Sequence, residues 1–185
     1  MNASQGVAAL LSLLFFLPAG TAWSQEKKAA ADGPVEKAVA EIQKAGGKVE
    51  RDEKAEGKPI LVVSFATQPV DDAKLACLAG LDKVQKLTLN STKITDAGLD
   101  AVKGLGSLKK VYLVDTAVTD AGVEKLKGIA GLQVLSLVGT QTTDAGLEHL
   151  KGLGELQLLF LAGTKVTDDG VKKLQEALPK LKIER

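Results

Sequence analysis

Side chains able to exchange protons, act as a nucleophile or hold a metal are scarce in this 185-residue chain: one histidine, His149, one cysteine, Cys77, and a recurring aspartate at 72, 96, 120, 144 and 168. With a single His and a single Cys, zinc-ligand spacing and a Cys/His nucleophilic pair are both absent. His149 stands in a column with Ala101, Lys125 and Lys173, which reads as a solvated helix face rather than the seat of a base. Cys77 reads as an unpaired helix residue, since one thiol makes no internal disulfide. The aspartates admit two readings. Stacked carboxylates would form a cation ladder, but each also sits where a helix begins, and helix capping accounts for all of them without a metal; no Gly-Asp loop of calcium-binding type accompanies them. GLGSLK at 104–109 lacks a full GxGxxG and precedes a strand, so it is not a phosphate loop. Asn90, Ser91 and Thr92 spell a glycosylation sequon, which matters only in a eukaryotic exported protein. The sequence therefore assigns no catalytic residue, no metal ligand and no cofactor.

What must position any functional surface is a repeat. TDAGL at 95–99 returns as TDAGV at 119–123, TDAGL at 143–147 and TDDGV at 167–171, with a worn copy, DDAKL, at 71–75, all 24 residues apart. Self-similarity at a fixed period implies stacked units rather than one globular core. Each unit opens with three apolar positions at strand spacing, as in Leu108, Val111 and Leu113 or Leu132, Leu135 and Leu137. A small polar residue follows: Gln68, Thr92, Thr116, Thr140 or Thr164. An apolar residue comes next at Val70, Ile94, Val118 and Val166, a column that Thr142 breaks. The second half turns to helical spacing, as in Leu99, Val102 and Leu105. A lone unit buries too little apolar surface to offset the entropy of ordering its backbone, so the units must share faces by stacking.

LxxLxL, a polar residue, TDxGL and a helix together resemble the leucine-rich-repeat family. The chain resembles the bacterial 24-residue kind, and its TDxGL turn is similar to repeats of F-box leucine-rich-repeat proteins. The resemblance covers roughly residues 60–183. It implies an α/β fold, a right-handed solenoid of five repeats with a parallel sheet on one side and helices on the other, and it implies binding rather than catalysis. Thr stands where many members carry an Asn ladder; a hydroxyl bonds loop backbone more weakly.

Thr95, Thr119, Thr143 and Thr167 are read as helix N-caps, with Asp96, Asp120, Asp144 and Asp168 beside the positive helix end. Gly80, Gly104, Gly128 and Gly152 are read as left-handed C-caps. Gly98, Gly122, Gly146 and Gly170, inside the first helical turn, imply close approach of the neighbouring coil. Residues 1–24 read as a signal peptide, with the uncharged run VAALLSLLFFLPAG at 7–20 and cleavage after Ser24. The n-region carries no Lys or Arg, which leaves a retained anchor as the alternative. Residues 25–33 read as a flexible leader, 34–59 as an N-terminal capping helix and strand, 60–179 as five leucine-rich repeats and 180–185 as a C-terminal edge. The expected location is the periplasm, the cell envelope or the medium.

With 24 basic and 23 acidic residues the chain has no field to gather phosphates, which argues against nucleic acid, and nothing beyond the signal peptide calls for a membrane. The binding expectation rests on the outward strand positions. Tyr112, Val114, Val134, Val138, Leu158 and Phe160 form an apolar shelf there, flanked by Lys110 and Asp115. The expected partner is a protein of unassigned identity. Self-association in the cell envelope is the competing reading of the same shelf, and β-propensity alone would also place such residues on strands. A substrate-recognition role like that of F-box proteins would need an F-box segment, and none is visible.

Overall fold

A computed structural model of the chain describes residues 33–185. The export segment 1–24, and the 25–33 leader apart from Gly33, lie outside the described residues. Pro34 opens helix α1 (Pro34–Lys44), whose Ala38, Val39 and Ile42 are buried. Its end is closed by Gly46 at φ 81 and by the Gly47 N–H donating to the Ile42 carbonyl at 2.8 Å. Strand β1 (Lys48–Arg51) then pairs antiparallel with β2 (Ile60–Ser64). Arg51 Nη2 reaches both Glu36 oxygens at 2.9 Å, tying β1 to α1.

From β2 onward the sheet is parallel: β3 (Lys86–Thr88), β4 (Lys110–Tyr112), β5 (Val134–Ser136), β6 (Leu158–Phe160) and β7 (Lys182–Glu184) follow in sequence order. Register sets Val63, Leu87, Val111, Leu135 and Leu159 side by side, and all five are 0% exposed. Phe65, Leu89, Leu113, Leu137 and Leu161 form a second buried row. These rows make one continuous interior, the α/β leucine-rich-repeat solenoid.

The return legs differ from the uniform helices expected. The first two are 3-10 turns, Asp72–Leu78, then Ala97–Asp100 and Val102–Gly104. The later ones are α-helical: α2 (Asp120–Leu126), α3 (Asp144–Glu148) and α4 (Asp168–Ala177). A 3-10 turn advances about 2.0 Å per residue against about 1.5 Å in an α-helix, which lets a short leg span between two anchored ends.

The aspartates do more than sit beside helix ends. Asp96 Oδ1 accepts from the Thr119 N–H and Oδ2 from the Thr119 hydroxyl, both at 2.7 Å. The same pair of bonds joins Asp72 to Thr95, Asp120 to Thr143 and Asp144 to Thr167, at 2.6–2.8 Å. Each carboxylate thus ties one coil to the next, while the threonine oxygen accepts from its own leg, Thr119 from Ala121 N and Thr143 from Ala145 N. Asp168 pairs with Arg185 instead. Gly98, Gly122, Gly146 and Gly170 lie against these carboxylates: a methyl group on any of them would overlap the Oδ1 of Asp72, Asp96, Asp120 or Asp144. The close approach expected at these glycines is there, and its agent is a side chain.

Two other expectations are corrected. Of the proposed left-handed caps only Gly80 has positive φ, at 84; around Gly104, Gly128 and Gly152 an added methyl meets nothing within 4 Å. The left-handed turn falls after the strands instead, at Thr67 (φ 61), Ser91 (φ 55), Asp115 (φ 53), Gly139 and Gly163 (both φ 70). The threonines after the strands bond within their own coil: the hydroxyls of Thr92, Thr116, Thr140 and Thr164 donate to the carbonyl three residues earlier at 2.6–2.8 Å. Thr142, which interrupts an apolar column, is fully buried with its hydroxyl 2.9 Å from that of Thr140.

Candidate functional site

Alternation along each strand sends every second residue into the core and its neighbours onto the open face of the sheet. Parallel register turns those neighbours into rows. One row runs Val62, Lys86, Lys110, Val134, Leu158, Lys182; the next runs Ser64, Thr88, Tyr112, Ser136, Phe160, Glu184. The shelf residues expected from the sequence therefore lie together: Val134 and Leu158 are adjacent in the first row, and Tyr112 and Phe160 flank Ser136 in the second. Ser136 is 3% exposed, as a small side chain between two aromatic rings would be. Tyr112, Val114, Val134, Val138, Leu158 and Phe160 are all half-buried, while Lys110 and Asp115 are exposed.

Polar groups border this apolar ground on the N-terminal side of the chain. Lys86 Nζ stands 5.7 Å from the Tyr112 ring centroid, within reach of a cation–π contact. A shallow recess of about 240 Å3 lies at the start of β2, β3 and β4, lined by Leu61, Val62, Gln85, Lys86, Lys109 and Lys110. Lys109 escapes a reading based on alternation alone, because it sits ahead of its strand; the doubled lysine at 109–110 was the available signal. Asn90, of the sequon, accepts from the Val114 N–H at 3.2 Å and so braces the far end of the same face.

The residues with reactive chemistry are not brought together. Cys77 lies half-buried in the first 3-10 leg, and its thiol is pushed up, chiefly by burial and further by the Glu41 charge, with a backbone hydrogen bond opposing. That leaves it a poor nucleophile. His149 ends α3 and is half-buried rather than solvated. In the preceding coil the Glu124 carboxyl is held below its usual range by the hydrogen bond and charge of Lys127, with a smaller contribution from His149. The inter-coil bonds to threonine engage both oxygens of Asp72, Asp96, Asp120 and Asp144. Among the described residues no group of three or more His, Cys, Asp or Glu side chains converges as a metal site would require. No described helix is long and apolar enough to cross a membrane.

The same architecture recurs in solved structures. Internalin C2 from Listeria monocytogenes matches with a TM-score of 0.50 and 27% identity over 68% of this chain and 61% of that one. The leucine-rich-repeat ectodomain of the receptor kinase SOBIR1 from Arabidopsis thaliana matches with a TM-score of 0.55 and 16% identity, covering 83% of this chain and 91% of that one. This chain has the leucine-rich-repeat fold. A leucine-rich-repeat protein of Leptospira interrogans also matches, at 22% identity and a TM-score of 0.47, over 60% of this chain. The chain spans 27% of the Leptospira protein's length and 61% of internalin C2. No protein-family model matches the sequence, and no curated protein does. Leucine-rich-repeat folds serve in general as scaffolds for protein interaction, not as enzymes, because stacking leaves an extended sheet face free.

Proposed function

We propose that this leucine-rich-repeat protein is an exported, non-enzymatic interaction module that offers its open sheet face to a protein partner, with Tyr112, Val114, Val134, Val138, Leu158 and Phe160 as the contact ground and Lys110 at its border. The observation that carries this reading is the register, which converts side chains scattered between Tyr112 and Phe160 into one contiguous half-buried apolar patch. Large aromatics in such a patch are the residues that dominate binding energy when covered. Export is supported by the apolar segment at 7–20 and by likeness to a receptor ectodomain.

Replacing Tyr112, Leu158 and Phe160 together by Ser tests it. All three point away from the core, so the urea unfolding midpoint shifts by the equivalent of no more than about 1–2 kcal/mol, while capture of the partner is lost. Undiminished capture by this variant refutes the face as the contact site. A second reading is a self-associating component of the cell envelope. It is favoured by the same half-buried apolar face, which contact between copies would cover equally well. Light scattering that grows with concentration supports self-assembly; a monodisperse monomer supports a foreign partner.

A further inference from the structure

The open face carries uncompensated positive charge in one place. Lys86, Lys109 and Lys110 are exposed, and among the described residues no carboxylate lies within salt-bridge distance of any of them. Several lysines of the helical side are paired instead: Lys103 and Lys125 with Asp100, Lys127 with Glu124 and Lys151 with Glu148. The first acidic side chain along the lysine row is Glu50, which stands beyond Val62, two strands or about 10 Å from Lys86. Three cations thus gather around the recess at the start of β2–β4, beside the apolar shelf and in line with it.

We propose that the partner is a protein presenting an acidic segment, with Asp or Glu carboxylates at Lys86, Lys109 and Lys110 and an apolar side chain resting on Val134, Leu158 and Phe160. This rests on the reading of the open face as the docking surface. The spacing follows from the sheet. Neighbouring strands lie about 4.8 Å apart, so the centre of the Lys86–Lys110 pair is about 10 Å from the centre of the Val134–Leu158 pair. An extended chain advances about 3.3 Å per residue, so a segment crossing the strands sets its apolar anchor about three residues from its acid. The cations steer the segment and fix which end lands where, and the shelf holds it.

The experiment is a display selection of random linear peptides on the purified protein. The enriched peptides are then measured by fluorescence anisotropy against the wild type, K86E/K109E/K110E and the Tyr112→Ser, Leu158→Ser, Phe160→Ser variant, with thermal melts confirming that all three are folded. The expected peptides carry Asp or Glu about three residues from Phe, Leu or Ile. They bind the charge-reversed protein at least about tenfold more weakly, and they weaken several-fold as salt rises from about 50 mM to about 500 mM. Peptides without acidic enrichment, peptides indifferent to the charge reversal, or a selection that enriches nothing overturn the proposal. If peptides lacking acid still require Tyr112, Leu158 and Phe160, the docking face stands and only its acidic preference falls; if neither variant changes binding, both fall. Sedimentation with phosphatidylglycerol vesicles that needs the three lysines, in place of peptide binding, assigns the charge to a membrane surface and also overturns it.

Discussion

Asp72 and Gly98 test whether the carboxylate ladder and the glycine column are one device. Asp72→Ala removes two bonds to Thr95, at 2.8 Å from its N–H and 2.6 Å from its hydroxyl. Hydrogen bonds to a buried charge contribute about 1.5–3 kcal/mol each; here Thr95 is exposed and Asp72 half-exposed, so about 2 kcal/mol for the pair is the appropriate scale. Gly98→Ala drives a methyl group into Asp72 Oδ1, with Ile94 Cγ2 next at 3.1 Å. Overpacking of this kind costs about 1–3 kcal/mol, from which about 1 kcal/mol is recovered because Ala suits a helical turn better than Gly. If the two effects were independent, the double variant would lose about 2–4 kcal/mol. The structure says otherwise: without the Asp72 carboxylate the methyl group has room and the gain from Ala remains, so the double variant loses only about 1 kcal/mol, a coupling of about 1–3 kcal/mol. Urea unfolding of the wild type and three variants, with the slope m unchanged across the set, measures it. Additivity to within about 0.5 kcal/mol would show that Gly98 is not there to make room for Asp72, and the account of the column would fail.

Two further predictions follow from the backbone and the ladder. Gly128→Ala, in open space and outside the left-handed region, leaves stability unchanged or raises it by about 0.5–1 kcal/mol. Gly139→Ala, at φ 70 and against Asp115 Oδ1, lowers it by about 2 kcal/mol; thermal melts distinguish the two, and equal effects would contradict the φ assignment. The Asp144 carboxyl is held below the ordinary aspartate value of 3.8 first by the Thr167 hydroxyl and then by the Thr167 N–H. Because its folded value lies below its unfolded one, this contribution is complete above the unfolded value and disappears as pH falls from there through the folded value. Urea midpoints taken from neutral pH downward should therefore fall less steeply for Asp144→Asn than for the wild type in the acid range below about pH 5, and identical slopes would contradict the sign.

The interior rows were legible in advance because burial is set by side-chain type: once Leu, Ile and Val recur at strand and helix spacing, few arrangements hide them all. The shelf was legible for the same reason read in reverse, since what alternates with the core must face outward. Other features depend on which atoms the stacked coils bring into contact. Nothing in TDAGL says whether Asp96 serves its own helix or Thr119 of the next coil; only the coil separation puts both oxygens on that threonine. The left-handed turn was hidden because its column holds Thr67, Ser91 and Asp115 before it reaches Gly139 and Gly163, and the neighbours hold the first three there against their local preference. The lysines tell the same story. Asp115 is closer to Lys109 and Lys110 in sequence than Glu36 is to Arg51 or Asp100 to Lys125, which do pair, but it stands at the opposite end of β4, so the charge is left uncompensated. Local chemistry along the chain determined which residues are inside and which outside; the distances between coils, which no single repeat contains, decided what those residues touch.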